Sequence, residues 1–181
     1  MARWPIVLVL AVGLLGGCGG DGSSASEDYA NGVCSSLSTW VTDVQDTIQS
    51  LTDSGLATSR EDIQSAFNQT KDATDTLVSD LDGLGPPETD DGQQAQEQLD
   101  SLKTELRQQL DTVEEALRSG GGVTAIAAQV STAVSAAANA VNATYQDLQE
   151  LDPAGELGDA FTNSDDCKSL REQLDNLGSQ S

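Results

Sequence analysis

From Tyr29 onward, apolar residues recur at steps of three and four, and that period admits one kind of element. Val33, Leu37, Trp40, Val41, Val44, Ile48 and Leu51 fall on one side of a helix. The same spacing returns in Ile63, Phe67, Thr70, Ala73, Leu77 and Leu81, and again in Ala95, Leu99, Leu102, Leu106, Leu110, Val113 and Leu117. A fourth stripe runs through Val123, Ile126, Val130, Val134, Ala137, Val141, Tyr145 and Leu148. A helix turns every 3.6 residues, so each series marks a face that must be covered. No stretch alternates with the period of two that a half-buried strand requires.

The stripes are separated by helix-breaking residues. Gly55 ends the first, and Thr58 with Glu61 reads as a capping box opening the second. Gly83-Leu84-Gly85-Pro86-Pro87 is a strong break, because proline lacks a donor and restrains the residue before it. The third helix is expected to begin near Thr89 or Asp90, and Gly120-Gly121-Gly122 separates it from the fourth. Asp152-Pro153 stops the fourth. A short segment around Leu157 to Phe161 and a last helix through Cys167, Leu170, Leu174 and Leu177 complete the chain. Four runs of roughly 23–28 residues would each span about 35–42 Å. Similar lengths and short connections predict an all-α fold, an up-down-up-down four-helix bundle with a short C-terminal helix over residues 29–178. Aromatic residues make up 3% of the chain, so Leu, Val, Ile and Ala must build its core.

The N-terminus has another character. Arg3 and the terminal amine precede the uncharged stretch Pro5 to Leu15, which is too short to span ~30 Å of hydrocarbon as a permanent helix. Leu15-Gly16-Gly17-Cys18 then resembles the lipobox of bacterial lipoproteins. The resemblance implies that residues 1–17 are a lipoprotein signal peptide, cut before Cys18, and that Cys18 carries a diacylglyceryl thioether. It implies a protein held through acyl chains, palmitate among them, at the extracytoplasmic face of the cell membrane. Residues 18–28, which include Gly19-Gly-Asp-Gly-Ser-Ser-Ala-Ser26, are expected to form a flexible tether. The stretch Tyr29-Ala-Asn-Gly-Val-Cys-Ser-Ser-Leu-Ser-Thr-Trp40 is similar to the start of small actinobacterial lipoproteins. The acid-rich, lysine-poor balance also resembles that of salt-adapted proteins.

With Cys18 assigned to lipid, Cys34 and Cys167 remain as an even pair in an oxidising setting, which points to a disulfide. The alternative is two free thiols. In an up-down-up-down bundle the start of helix 1 and the end of helix 4 share one end, so pairing and topology agree.

Composition removes several chemistries. The chain has no histidine, which excludes Ser-His-Asp and Cys-His catalysis and the usual zinc and copper ligand sets. No GK[ST] sequence and no glycine-rich loop after a strand is present, so no nucleotide or other cofactor is expected. The acidic pairs Glu27-Asp28, Glu61-Asp62, Asp90-Asp91 and Asp165-Asp166 stand at helix starts, where they suit the macrodipole. No catalytic or metal-binding residue is assigned. A net charge of −22 makes nucleic acid and anionic headgroups poor partners.

One segment departs from this pattern. No charged residue occurs between Ser119 and Gln146, and the segment is rich in alanine and serine. Two readings follow. Either this is a central helix closely approached by its neighbours, or its outer face is a contact surface formed by Thr124, Ala128, Ser131, Ser135, Ala138 and Asn142. The functional expectation is a lipid-anchored, non-enzymatic binding or structural module of the cell envelope. A carrier of a lipid or other apolar ligand between its helices is one alternative. An accessory subunit of an envelope transporter or sensor is the other.

Overall fold

The structure, a computed structural model, describes residues 21–53, 59–151 and 155–178. Among these the fold is all-α: α1 (Asp21–Asp53), α2 (Arg60–Gly83), α3 (Asp90–Arg118), α4 (Val123–Glu150), α5 (Glu156–Asn163) and α6 (Asp165–Gly178). The four long helices pack as a bundle, and α5 and α6 extend it.

The helix starts follow from local chemistry. Ser59 caps α2: its hydroxyl accepts from the Asp62 amide, and the Asp62 carboxylate accepts from the Ser59 amide at 2.8 Å. The capping box therefore lies one residue beyond the expected Thr58–Glu61, and Thr58 itself is outside the described residues. These hydrogen bonds hold the Asp62 carboxyl below its usual range. Thr89 caps α3 by accepting from the Gly92 amide at 3.0 Å. Ser164 caps α6, accepting from the Cys167 amide at 3.3 Å.

Helix α1 starts at Asp21, which corrects the expectation of a flexible tether through residue 28. The added turns have something to pack on. Ser26 and Ala30 are buried, and Tyr29 meets Phe161 of α5 edge-on, ring centroids 6.2 Å apart.

Neighbouring long helices run antiparallel. Trp40 of α1 meets Thr74 of α2, Arg60 of α2 meets the end of α3 at Leu117, and Lys103 of α3 meets Asp82 of α2. Lys103 also pairs with Asp100 at 2.6 Å. Burial opposes its charge, but these two carboxylates outweigh that and hold its ammonium above the usual lysine range.

The bundle divides into two hairpins, α1–α2 and α3–α4. Contact is extensive within each and sparser between α2 and α3, while α1 and α4 touch little. At the end bearing the start of α1, here the proximal end, α5 and α6 fill the seam between α1 and α4. Helix α6 runs parallel to α1: Asn31 meets Ser164, Cys34 meets Cys167, and Ser38 meets Gln173. Tyr145 of α4 completes the tie. Its hydroxyl donates to the Cys167 carbonyl at 3.2 Å and accepts from Arg171 at 3.3 Å. The main core lies at this end, around Phe161, Leu170, Val33, Leu37 and Leu148, all fully buried.

Candidate functional site

At the distal end, largely past the end of α6, the two hairpins enclose an apolar cleft of about 60 Å³. Helix α1 contributes Trp40, Val44, Thr47, Ile48 and Leu51, and α2 contributes Ile63, Ala66, Phe67, Thr70 and Thr74. From α3 come Leu106, Gln109, Leu110 and Val113, and from α4 come Val130, Ala133, Val134 and Ala137. No charged side chain lines it.

The cleft exists because the filling helices stop short. Gln173 of α6 lies beside Ser38 and α6 ends five residues later at Gly178, so the lining of α1 from Val44 to Leu51 lies past its end. Past that point Ile48 and Leu51 of α1 and Val130 and Val134 of α4 line the cleft, and all four are only half-buried. Small side chains add room. Helix α4 lines the cleft with Ala133 and Ala137, whereas α3 lines it with Leu106, Leu110 and Val113.

The lining offers little to water. About 10–15 Å³ measured this way holds one water, provided that two to four polar partners surround it. The Thr47, Thr70 and Thr74 hydroxyls already donate to the carbonyls four residues before them, at 2.8–3.0 Å. Thr74 also accepts from the Trp40 indole at 3.0 Å, which fixes that ring in the wall. A space of this character favours apolar matter over water.

The two hairpins are linked again at the far end. Arg60, at the start of α2, donates to the Leu117 carbonyl at 2.9 Å and to the Gly121 carbonyl at 2.7 Å. Gly120, with φ at +74°, turns the chain between α3 and α4 beside these acceptors, a conformation that glycine adopts at little cost. The cleft is thus bounded by the disulfide end on one side and by an arginine bridge on the other.

The residues singled out from sequence fall in three places. Cys18 lies outside the described residues. Cys34 and Cys167 are brought together and bonded, with Cα atoms 4.9 Å apart and both side chains buried. Thr124, Ala128, Ser131, Ser135 and Asn142 form an exposed face on α4, with Ala138 half-buried beside them. Helix α4 is not enclosed: one side packs on α3 and the uncharged side faces outward.

The lining residues appear in the sequence only as members of core stripes. Nothing local distinguishes Val44 or Leu106 from residues that end fully packed. The shortness of α5 and α6 is the one signal, since two short helices cannot fill a seam as long as α1.

Other hollows among the described residues are bordered by carboxylates. One, between α1, α5 and α6, is bordered by Glu27, Asn31, Glu156, Asp159, Asp165 and Asp166 among others. Among the described residues no group of three or more His, Cys, Asp or Glu is arranged to hold a metal ion. Nor is any described helix long and apolar enough to cross a membrane. No protein-family model, curated protein or solved structure matches the chain.

Proposed function

We propose that this protein is a non-enzymatic binding module of the cell envelope that carries a lipid or other apolar ligand in the cleft between its two hairpins. One observation carries the reading: an uncharged, apolar lining contributed by all four long helices, whose threonine hydroxyls are already satisfied within their own helices. Apolar surface of this kind gains from cover at about 25 cal/mol per Å², and an apolar guest supplies the cover.

The lipobox-like Leu15-Gly16-Gly17-Cys18 supports placing the module at the extracytoplasmic face of the membrane, held by lipid on Cys18. A diacyl anchor suffices for stable attachment. Cys18 precedes the start of α1 by three residues, and Trp40 lies about 30 Å further along the helix. On this reading the cleft points away from the bilayer.

Native mass spectrometry of the protein extracted from its membrane tests both parts. The expected chain begins at Cys18 with its acyl groups and releases a co-isolated apolar molecule. Ala133→Leu, which fills the cleft, loses that molecule and keeps the anchor. An unmodified N-terminus would overturn the anchoring. A ligand retained equally by Ala133→Leu would overturn the cleft.

A second reading rests on α4. Thr124, Ala128, Ser131, Ser135, Ala138 and Asn142 recur at steps of four and three, the spacing by which one helix receives another. Such a face would suit a helix of an envelope partner, for instance when the protein acts as an accessory subunit. Introducing Ser135→Glu with Asn142→Glu places charge in that face and should abolish crosslinking to the partner. Unchanged crosslinking would sink this reading.

A further inference from the structure

We infer that the distal cleft takes a single unbranched apolar chain whose polar end carries no negative charge. The inference rests on the apolar-ligand reading and narrows it in shape and in charge.

Shape follows from volume. Sites for drug-sized molecules typically offer about 300–1,000 Å³, and this cleft is near 60 Å³. It is also long, bounded by residues a full three turns apart on α1, from Trp40 to Leu51. A narrow, elongated space admits one flexible chain and excludes fused rings or paired tails.

Charge follows from the borders. Thr47 belongs both to the cleft and to a surface crevice that holds Asp43, Asp46 and Asp72. Gln109 likewise belongs both to the cleft and to a crevice that holds Asp100 and Glu105. A head group leaving the cleft past Thr47 or past Gln109 therefore meets carboxylates. Lys103 pairs with Asp100 and Lys71 stands beside Asp72, but among the described residues no ion pair engages Asp43, Asp46 or Glu105. Arg60 is committed to the Leu117 and Gly121 carbonyls, Lys71 pairs with Asp75, and Arg118 pairs with Glu114. Arg107 is exposed on α3 and does not line the cleft. A fatty-acid carboxylate would bring a further negative charge into this field. An alcohol, ester or amine would not.

The inference is tested on the full-length anchored chain in phosphatidylcholine vesicles. Photoreactive decanol, decylamine and decanoate are supplied at matched free aqueous concentrations at pH 8, and labelled residues are mapped by mass spectrometry. Decanol and decylamine should label the cleft segments at Trp40–Leu51 and Val130–Ala137 about tenfold more than decanoate at low ionic strength. Added salt should shrink the gap as the Debye length falls. Decanoate labelling equal to or above that of decanol would overturn the charge assignment and leave the apolar-ligand reading standing. Cleft labelling by none of the three would overturn the apolar-ligand reading itself. The Ala133→Leu chain, labelled in parallel, identifies signal that does not come from the cleft.

Discussion

Gly92 sits in the first turn of α3, where a Cβ atom would lie 2.1 Å from the Pro87 carbonyl oxygen. That oxygen is held in place, because it accepts from the Thr89 amide at 2.7 Å. Replacing a helical glycine with alanine ordinarily gains up to about 1 kcal/mol. Here the clash with fixed backbone reverses the sign, and Gly92→Ala should cost about 2 kcal/mol, read as a lower urea midpoint. Tyr29 makes a second prediction. Burial, with a further contribution from the Asp100 charge, pushes its hydroxyl up to about 12. Below pH 10 the folded and unfolded chains both hold this proton, so the contribution is complete. Between pH 10 and 12 the unfolded chain releases it first, and stability falls as pH rises through that window. Tyr29→Phe should flatten the fall in urea unfolding measured from pH 9 to 12. An unchanged slope would show that Tyr29 is not its source.

The helices were legible as elements because their apolar period is nearly unbroken, but the faces they bury were read less well. Thr74 is almost fully buried while Thr70 and Ala73 are half-buried, so the packed face of α2 is rotated from the predicted stripe. The Trp40 indole bond makes that possible by satisfying a buried hydroxyl, a long-range partnership that periodicity does not register. Val123, read as core, is exposed at 38%, since α4 begins there beyond the last turn that packs on a neighbour. Lys103 was missed for the opposite reason: its stem is buried while its ammonium reaches Asp82 and Asp100. The Gly- and Ser-rich run before Tyr29 reads as a tether because nothing local in it registers α5, which packs on its continuation. The Cys34–Cys167 pairing was legible by parity and topology. It joins residues 133 apart, and loop entropy sets its contribution at about 5 kcal/mol as an upper figure. Replacing both cysteines with alanine should lower stability towards that amount. Hydrogen exchange should accelerate most in α6, a short C-terminal helix whose remaining ties to α1 and α4 are the packing of Leu170 and Leu174 and the hydrogen bonds at Ser38 and Tyr145. Uniform acceleration across all helices would contradict this account.

Taken whole, the molecule is two hairpins held at one end by a disulfide and two short helices and bridged at the other by Arg60. The cleft is a property of that arrangement rather than of any helix. It arises because α5 and α6 occupy only the proximal part of the seam between α1 and α4, a consequence of relative lengths that no local pattern expresses. The exposed uncharged face of α4, by contrast, was readable directly from the missing charges. The account therefore turns on whether the cleft accepts an apolar guest. Trp40 lies in its wall and is the one tryptophan of a chain beginning at Cys18, and Trp4→Phe keeps it the one tryptophan where residues 1–17 remain. The decisive measurement is energy transfer from Trp40 to an apolar naphthylamine probe, with and without Ala133→Leu. Saturable transfer that Ala133→Leu abolishes, at an unchanged urea midpoint, is the predicted result; transfer that never saturates, or that the filled cleft leaves intact, would contradict it.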